Sequence, residues 1–189
     1  MLHARLENGN MFNAKMQSNF IDNNTCNFII NSVKDSEAWE KIPNDFWDKR
    51  IININTAYNK IGKDFGDLIT KISQKTKDFI EKEYSLDKKI EPNVVTICRW
   101  FPGMNQPPHA DDMTNTDIKG LEGRVFGAII YLNQDYKGGK TYYPDYNIEI
   151  NPEVGKIAVH PGDPSHMHGV TTIEGNTRYT IASFWEYKN

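Results

Sequence analysis

Residues 168–185 read HGVTTIEGNTRYTIASFW, two short runs of β-forming residues around the turn pair Gly175-Asn176. Side chains alternate along an extended strand, so the second run has two faces. One face carries Arg178, Thr180, Ala182 and Phe184, and the other carries Tyr179, Ile181, Ser183 and Trp185. An arginine among apolar neighbours lies either at an exposed strand end or in a buried anion site. The buried alternative needs a partner, because a desolvated guanidinium is costly unless paired. A small-molecule carboxylate would supply that partner bidentately.

Similar short runs, separated by turn residues, extend upstream to Pro92. The pattern predicts strands at 94–101, 125–132, 140–143, 148–150, 156–160, 168–173 and 178–185. In the second of these, alternation separates Gly127, Ile129 and Tyr131 from Phe126, Ala128 and Ile130. Many short strands joined by regular turns predict a β-sandwich or a closed roll.

The N-terminal half has a different pattern. Apolar residues recur with helical spacing from Asp64 to Tyr84, which predicts one long amphipathic helix lying against the outside of a sheet. The first 35 residues, with apolar pieces such as Phe28-Ile29-Ile30, indicate a short strand and loops. Residues 36–59 predict turns and a short helix that pack aromatic side chains onto the core. We therefore expect a single domain over 1–189, with 1–90 as a mixed helical support and 91–189 as the functional core.

Length and charge exclude several classes of protein. The 189 residues suffice for one core without disulfides or structural metal, and Cys26 and Cys98 form no C-x-x-C pair. A net charge of -3 argues against nucleic acid as a partner. No apolar leader or membrane-length stretch is present, so we expect a cytoplasmic chain with no membrane partner. The abundance of Lys, Asn and Ile is typical of an A+T-rich genome and indicates a microbial or viral source.

The candidate metal ligands are two imidazoles and a carboxylate. His109-Ala110-Asp111 follows the rigid run Gln106-Pro107-Pro108, and residues i and i+2 of an extended segment point to the same side. A short motif of this kind also arises by chance on surface loops. The third ligand is either His166 or His168, whereas His160 is more distant in sequence. His168 begins an apolar β-run that would hold its side chain, while His166 is expected on a mobile lip. Two histidines and one carboxylate form the facial triad of non-haem Fe(II).

Five motifs, taken together in their order and spacing, give the chain a specific resemblance. They are Trp100-Phe101-Pro102-Gly103 before His109-Ala110-Asp111, then Tyr131-Leu132-Asn133, Gly138-Gly139-Lys140-Thr141, His168-Gly169-Val170, and Gly175-Asn176-Thr177-Arg178-Tyr179. Over residues 94–187 the chain resembles the 2-oxoglutarate- and Fe(II)-dependent dioxygenases, and within them the prolyl 4-hydroxylase branch.

That resemblance implies a fold, a metal and a co-substrate. The fold is mainly β with flanking helices, built on a double-stranded β-helix (jelly-roll, cupin-like) core. Iron would be held by His109, Asp111 and His168, which together with Arg178 would form the catalytic set. The distal carboxylate of 2-oxoglutarate would pair with Arg178 and accept a hydrogen bond from Tyr131, with Thr180 a further contact on the same strand face.

Two departures from the family pattern concern the co-substrate and substrate pockets. Phe101 stands where the family often has a tyrosine, so a hydroxyl contact to the co-substrate is missing there. Phe184 stands where the family usually has a tryptophan, and Trp185 is one residue later.

The resemblance also implies the reaction. A C–H bond would be hydroxylated with O2 while 2-oxoglutarate is converted to succinate and CO2, with ascorbate as a possible auxiliary reductant. The favoured substrate is a protein or peptide containing proline, in contact with Arg124, Trp185 and His166. The polar segment from Met113 to Gly123 is the candidate for closing the site, the alternative being an ordinary solvated loop. The alternative functions are oxidation of a free amino acid or small metabolite, and a non-enzymatic cupin-like metal-binding or sensing module.

Overall fold

The N-terminal elements form a helical layer with two edge strands. The structure, a computed structural model, describes residues 11–43, 45–112, 114 and 122–188. The first elements in chain order are β1 (Lys15–Gln17), α1 (Asn23–Val33), β2 (Ile51–Asn53), α2 (Ile54–Thr56) with its π-helical continuation Ala57–Ile61, and α3 (Lys63–Glu83). Helix α3 lies within one residue of the predicted bounds at each end. Among the described residues, no helix is both long enough and apolar enough to cross a membrane.

Ten strands follow, and all the pairings between strands are antiparallel. They are β3 (Ile90–Trp100), β4 (Gln106–His109), β5 (Phe126–Tyr131), β6 (Lys137–Gly138), β7 (Thr141–Tyr143), β8 (Ile148–Ile150), β9 (Ile157–Pro161), β10 (His168–Val170), β11 (Ile173–Glu174) and β12 (Arg178–Tyr187). A six-stranded major sheet has the order β1-β9-β5-β12-β3-β2. A four-stranded minor sheet has the order β4-β10-β7-β8, and β6 pairs with β11.

The major sheet is covered on both faces. Its outer face packs on the helices, where Ile29 of α1 and Ile69 and Ile80 of α3 share one apolar cluster with Ile97 and Ile181. Its inner face packs on the minor sheet, since Cys98 and Trp100 contact Val170, and Tyr131 lies in a cluster with Tyr143 and Ile150. This is the double-stranded β-helix with flanking helices that the sequence predicts.

The predicted strand faces are confirmed. On β12, Arg178, Thr180, Ala182 and Phe184 line an internal cavity, whereas Ile181 and Trp185 enter the core beneath the helices. On β5, Phe126, Ala128 and Ile130 enter the same core, and Gly127 and Ile129 line the cavity. Burial on both sides of the sheet therefore holds the register, because a slip of one residue would exchange the two faces.

The prediction of a short strand with loops for the first 35 residues is wrong around Phe28-Ile29-Ile30. This segment lies inside helix α1, with Asp22 as its N-cap accepting a hydrogen bond from the backbone N–H of Thr25 at 2.9 Å. Cys26, Ile29 and Val33 are buried at positions i, i+3 and i+7. The capping aspartate and this spacing are the signals of a helix, and the local run of β-favouring residues obscured them.

The predicted strand at 168–173 divides into β10 and β11. The break comes at Thr172, whose carbonyl accepts a hydrogen bond from the backbone N–H of Gly139 at 3.3 Å. Gly138 lies against the same carbonyl with φ of +65°, and a Cβ there would collide with it. Gly138 therefore permits a backbone approach that no other residue allows.

Trp185 does not lie in the cavity, which corrects the expectation that it contacts substrate. Strand alternation turns it away from Arg178 and into the helix-covered core, where it is 1% exposed and its indole N–H donates to Ser183 Oγ at 3.0 Å. Its role in the described structure is packing.

We expect Trp185→Ala to lower the free energy of unfolding by about 3–5 kcal/mol, because truncating a buried tryptophan loses apolar burial and leaves a cavity. Urea denaturation followed by circular dichroism measures the change. A loss below about 1 kcal/mol would contradict this placement.

Candidate metal centre

His109, Asp111 and His168 meet at one end of the minor sheet. His109 ends β4, His168 begins β10, and the two residues are direct partners in the antiparallel register. Asp111 lies two residues beyond β4. One donor atom from each side chain can be chosen so that all lie within 4.8 Å of one another. Among the described residues, this is the one group of three or more His, Cys, Asp or Glu side chains with such spacing.

Backbone carbonyls orient both imidazoles. His109 Nδ1 lies 3.0 Å from the Pro107 carbonyl oxygen, and His168 Nδ1 lies 3.0 Å from the His166 carbonyl oxygen. Because a carbonyl only accepts, we assign the proton of each ring to Nδ1. Each Nε2 then has a lone pair directed toward Asp111, as a metal ligand requires.

The electrostatics suit a cation. Burial lowers the pKa of His109 and, together with the nearby His160, lowers that of His168 to about 4, so both rings are neutral at pH 7. Burial alone would raise the pKa of Asp111. The surrounding imidazoles and a hydrogen bond from His160 outweigh it and hold that pKa below its usual range. The site therefore presents two neutral nitrogens and one anionic oxygen ligand group.

Arg178 is a buried cation with two unsatisfied donor atoms. It is 1% exposed, and its Nε and Nη2 have no hydrogen-bond acceptor in the described part of the chain. The guanidinium carbon lies 5.3 Å from the Tyr131 ring centroid and 5.5 Å from that of Trp100. Arg178 and the three triad residues line the same cavity. Unpaired donors on a buried charge are costly, and an anion entering from that cavity would satisfy them.

The other predicted co-substrate residues surround Arg178. Thr180 lines the cavity and is paired across the sheet with Tyr131. The Tyr131 hydroxyl lies 2.7 Å from Thr141 Oγ1, and either group can be the donor. Tyr131 is fully buried, so its ring also forms part of the wall beside the guanidinium.

Sequence reasoning missed a second hydroxyl, that of Tyr136. It is buried beside the Arg178 guanidinium, which interacts with it electrostatically, and within the described residues its hydroxyl makes no hydrogen bond of full geometric quality. Burial raises the pKa of Tyr136, so the phenol keeps its proton and can donate. A Cβ at Gly139 would come within 2.7 Å of the Tyr136 ring and 3.0 Å of Arg178 Cδ. The Gly138-Gly139 pair was the available signal, since glycine marks close approach. Phe101, by contrast, is 39% exposed and offers no hydroxyl.

A wider cavity of about 410 Å³ opens beside the candidate metal ligands. Its lining is largely apolar and includes Trp47, Val94 and Phe184. Arg124 also lines it, stacked 4.1 Å from the Phe184 ring centroid and donating through Nε to Asn93 Oδ1 at 3.1 Å. Arg124 therefore lines a cavity next to the triad, and its contact with substrate stays a prediction.

His166 is not on a mobile lip, which corrects that expectation. It is 4% exposed, packs against Phe12 and Tyr146, and accepts a hydrogen bond at Nε2 from the backbone N–H of Asn13 at 3.1 Å. It lines neither of the two cavities next to the triad. The hydrogen-bond partner Asn13 lies 153 residues away along the chain, so local sequence could not reveal this contact.

His160, set aside as distant in sequence, lies next to the triad. Its Nε2 is 2.9 Å from Asp111 Oδ2, and its ring centroid is 4.0 Å from that of His168. The segment Met113–Gly123, predicted as a candidate for site closure, falls mostly outside the described residues.

Two histidines and one carboxylate on a double-stranded β-helix are the donor set of a facial-triad metal site. Such sites are typical of non-haem Fe(II) oxygenases. Residues 95–186, just under half of the chain, match the family model of the 2OG-Fe(II) oxygenase superfamily, where 2OG is 2-oxoglutarate, so this segment is assigned to that superfamily.

The chain is similar to one protein by sequence and to several solved structures by fold. The multifunctional procollagen lysine hydroxylase and glycosyltransferase of Caenorhabditis elegans is 35% identical over 103 residues, which are 50% of this chain and only 12% of that protein. A viral collagen prolyl hydroxylase from Paramecium Bursaria Chlorella virus-1, solved with 2OG, has a TM-score of 0.68 at 16% identity, covering 93% of this chain and 96% of its own. A Pseudomonas putida prolyl-4-hydroxylase has a TM-score of 0.67 at 14% identity, with 94% of each chain covered.

Proposed function

We propose that this chain is a 2-oxoglutarate- and Fe(II)-dependent dioxygenase that hydroxylates a peptidyl residue, with proline as the favoured target. His109, Asp111 and His168 would hold Fe(II). Arg178 would anchor the distal carboxylate of 2-oxoglutarate, assisted by the hydroxyls of Tyr131, Thr180 and Tyr136. Succinate and CO2 would be the co-products, and ascorbate an auxiliary reductant.

The observation that carries the proposal is the unpaired Arg178 guanidinium in the same cavity as the triad. A metal-binding module without catalytic turnover would not need a buried guanidinium with unsatisfied donors next to the metal site. A dicarboxylate that reaches from the metal ligands to the arginine accounts for both features, because one end needs a cation and the other a bidentate donor.

When bound, the ferrous ion would supply the redox chemistry for the reaction of O2 with 2-oxoglutarate. The chain's own side chains would do the remaining work. The neutral Nε2 atoms of His109 and His168 and the Asp111 carboxylate would fix the metal's position. Arg178 would orient the co-substrate, and the rings of Trp100 and Tyr131 would exclude water from that ion pair, which strengthens it.

The wider cavity favours proline as the target residue. Its described lining is apolar except for a few groups, and the one acid in it, Asp111, belongs to the triad. Arg124 adds a positive charge to this lining. A neutral, apolar pyrrolidine ring matches such a wall, whereas a lysine ammonium would meet Arg124, and among the described lining residues no acid other than Asp111 is there to pair with it.

Peptidyl lysine is the second candidate. The observation that favours it is the relative from Caenorhabditis elegans, which is named a procollagen lysine hydroxylase and shares 35% identity, against 16% for the viral prolyl hydroxylase. A free amino acid or small metabolite would leave the Trp47 and Phe184 walls of the cavity largely uncovered.

Mass spectrometry of matched peptides tests the substrate. We expect a proline-rich peptide incubated with protein, Fe(II), 2-oxoglutarate and ascorbate to gain one oxygen, about 16 Da, with one succinate formed per oxygen inserted. A peptide with lysine at the target position should react at least about tenfold more slowly, the factor that corresponds to about 1.4 kcal/mol. Faster hydroxylation of the lysine peptide would make peptidyl lysine, and not proline, the favoured target. Absence of succinate with every peptide and small-molecule substrate would support the non-enzymatic module.

A further inference from the structure

His160 is buried beside the triad but has no part in the proposed function. It lies on β9, is 1% exposed, and sits directly across the β5–β9 ladder from Gly127. Its two ring nitrogens contact Asp111 on one side and Tyr143 on the other. A buried imidazole with both nitrogens engaged is held in one orientation.

The Asp111 carboxylate divides its two oxygens between different partners. Oδ2 lies 2.9 Å from His160 Nε2. Oδ1 faces the triad imidazoles, 3.7 Å from His168 Nε2 and 3.9 Å from His109 Nε2. One oxygen is thus occupied by His160 while the other points into the space between the candidate ligands.

The hydrogen-bond partners of His160 allow us to assign which of its ring nitrogens carries the proton. An ionised carboxylate can only accept, so His160 Nε2 must be the donor to Asp111. In the neutral ring, Nδ1 then accepts, and its partner is the Tyr143 hydroxyl at 2.8 Å. Burial raises the pKa of Tyr143 well above its ordinary value, so that hydroxyl keeps its proton. The result is a directional chain from Tyr143 through His160 to Asp111.

Gly127 makes room for this arrangement. A Cβ at residue 127 would collide with Asp111 Oδ2 and lie 2.7 Å from His160 Nε2. The carboxylate and the imidazole therefore meet in a space that exists because β5 has no side chain at this register position.

We propose that His160 is a positioning residue that holds Asp111 Oδ2, so that Asp111 offers the metal a single oxygen, Oδ1. The proposal rests on the function proposed above, since it takes Asp111 as a metal ligand. A carboxylate released from His160 could turn both oxygens to the metal and occupy a position that the co-substrate needs. Outer hydrogen bonds of this kind typically change metal affinity or activity by 10–100-fold.

Three variants test the role through metal binding. His160→Phe keeps a buried ring without a donor, His160→Gln places an amide N–H near the former Nε2, and Tyr143→Phe removes only the donor to His160. Anaerobic titration calorimetry measures Co(II) affinity, and the visible absorption of bound Co(II) reports its coordination. Co(II) is a redox-inert stand-in, so neither measurement depends on catalysis.

We expect His160→Phe to change the Co(II) affinity at least about tenfold and to alter the spectrum, from the usual effect of outer-shell partners. His160→Gln should restore both the affinity and the spectrum to near the native values. Tyr143→Phe should give an affinity between that of His160→Phe and that of the native protein. If His160→Phe does not fold, the Co(II) affinity and spectrum of Tyr143→Phe, compared with those of the native protein, test the positioning role.

The positioning role would be overturned, with the proposed function intact, if folded His160→Phe kept the native Co(II) affinity and spectrum. If only Tyr143→Phe folds, the same result in that variant would overturn it. Failure of the native protein to bind Co(II), or unchanged binding by His168→Ala, would instead overturn the triad and with it both proposals.

Discussion

Replacing His168 by alanine should abolish Fe(II) binding, whereas replacing His166 by alanine should leave it nearly unchanged. His168 presents a neutral Nε2 to Asp111 Oδ1, with its Nδ1 bound to a backbone carbonyl. Loss of one of three protein ligands leaves two, too few to hold a labile divalent ion against water. Anaerobic titration calorimetry with Fe(II) measures both variants.

His166 is a matched control because it lies two residues away and has the same side chain. Its Nε2 accepts from Asn13 N–H, and its Nδ1 lies 2.9 Å from Ser165 Oγ, so neither nitrogen is directed at the triad. The carbonyl that orients His168 belongs to the backbone of residue 166, and alanine retains it. His166→Ala should cost stability through lost packing, which circular dichroism detects separately. Equal iron affinity in the two variants would remove His168 from the triad.

Replacing Arg178 by alanine should raise the KM for 2-oxoglutarate on the order of 100-fold while Fe(II) still binds. Hydrogen bonds to a charged group contribute about 1.5–3 kcal/mol, and about 2.8 kcal/mol corresponds to a factor of 100. The triad residues do not depend on Arg178 for any described hydrogen bond, so iron affinity should stay within about threefold. Succinate formation as a function of 2-oxoglutarate concentration measures the KM.

Two further variants separate the anchor from other roles of arginine. Arg178→Lys keeps the charge but not the planar fork, so its KM should lie between those of the native protein and Arg178→Ala. Arg124→Ala removes a guanidinium from the wider cavity, so it should raise the KM for peptide and leave that for 2-oxoglutarate unchanged. An unchanged 2-oxoglutarate KM in Arg178→Ala would exclude the anchor role.

The unpaired charge also predicts a stability effect. Arg178→Met fills the same space without a buried cation, so it should be at least as stable as the native protein when no co-substrate is present. Adding 2-oxoglutarate with a divalent metal should raise the Tm of the native protein, because the ligand binds the folded state, and should raise that of Arg178→Met less. Equal rises in thermal unfolding scans would contradict the placement of the carboxylate beside Arg178.

Local periodicity predicted much of the fold. Helix α3 and the two faces of β5 and β12 followed from spacings of 3.6 and 2 residues, because each face is buried against a different layer. The same reasoning failed for α1, where three β-favouring residues in a row outweighed the capping signal of Asp22. The prediction of Trp185 as a substrate contact came with the family resemblance and was wrong, since strand alternation already turned this side chain away from Arg178.

By itself, the sequence determined which chemical groups are available and which face of each strand carries them: two imidazoles and a carboxylate near strand ends, and an arginine on the strand face that also carries Thr180 and Ala182. Only the tertiary structure decided which of these groups meet. The packing of the two sheets brought His160 next to Asp111 and Tyr136 next to Arg178, and a contact with Asn13 satisfied His166 away from the triad. The physical reason is that side-chain direction is a local property of the backbone, whereas contact and burial depend on the packing of two sheets.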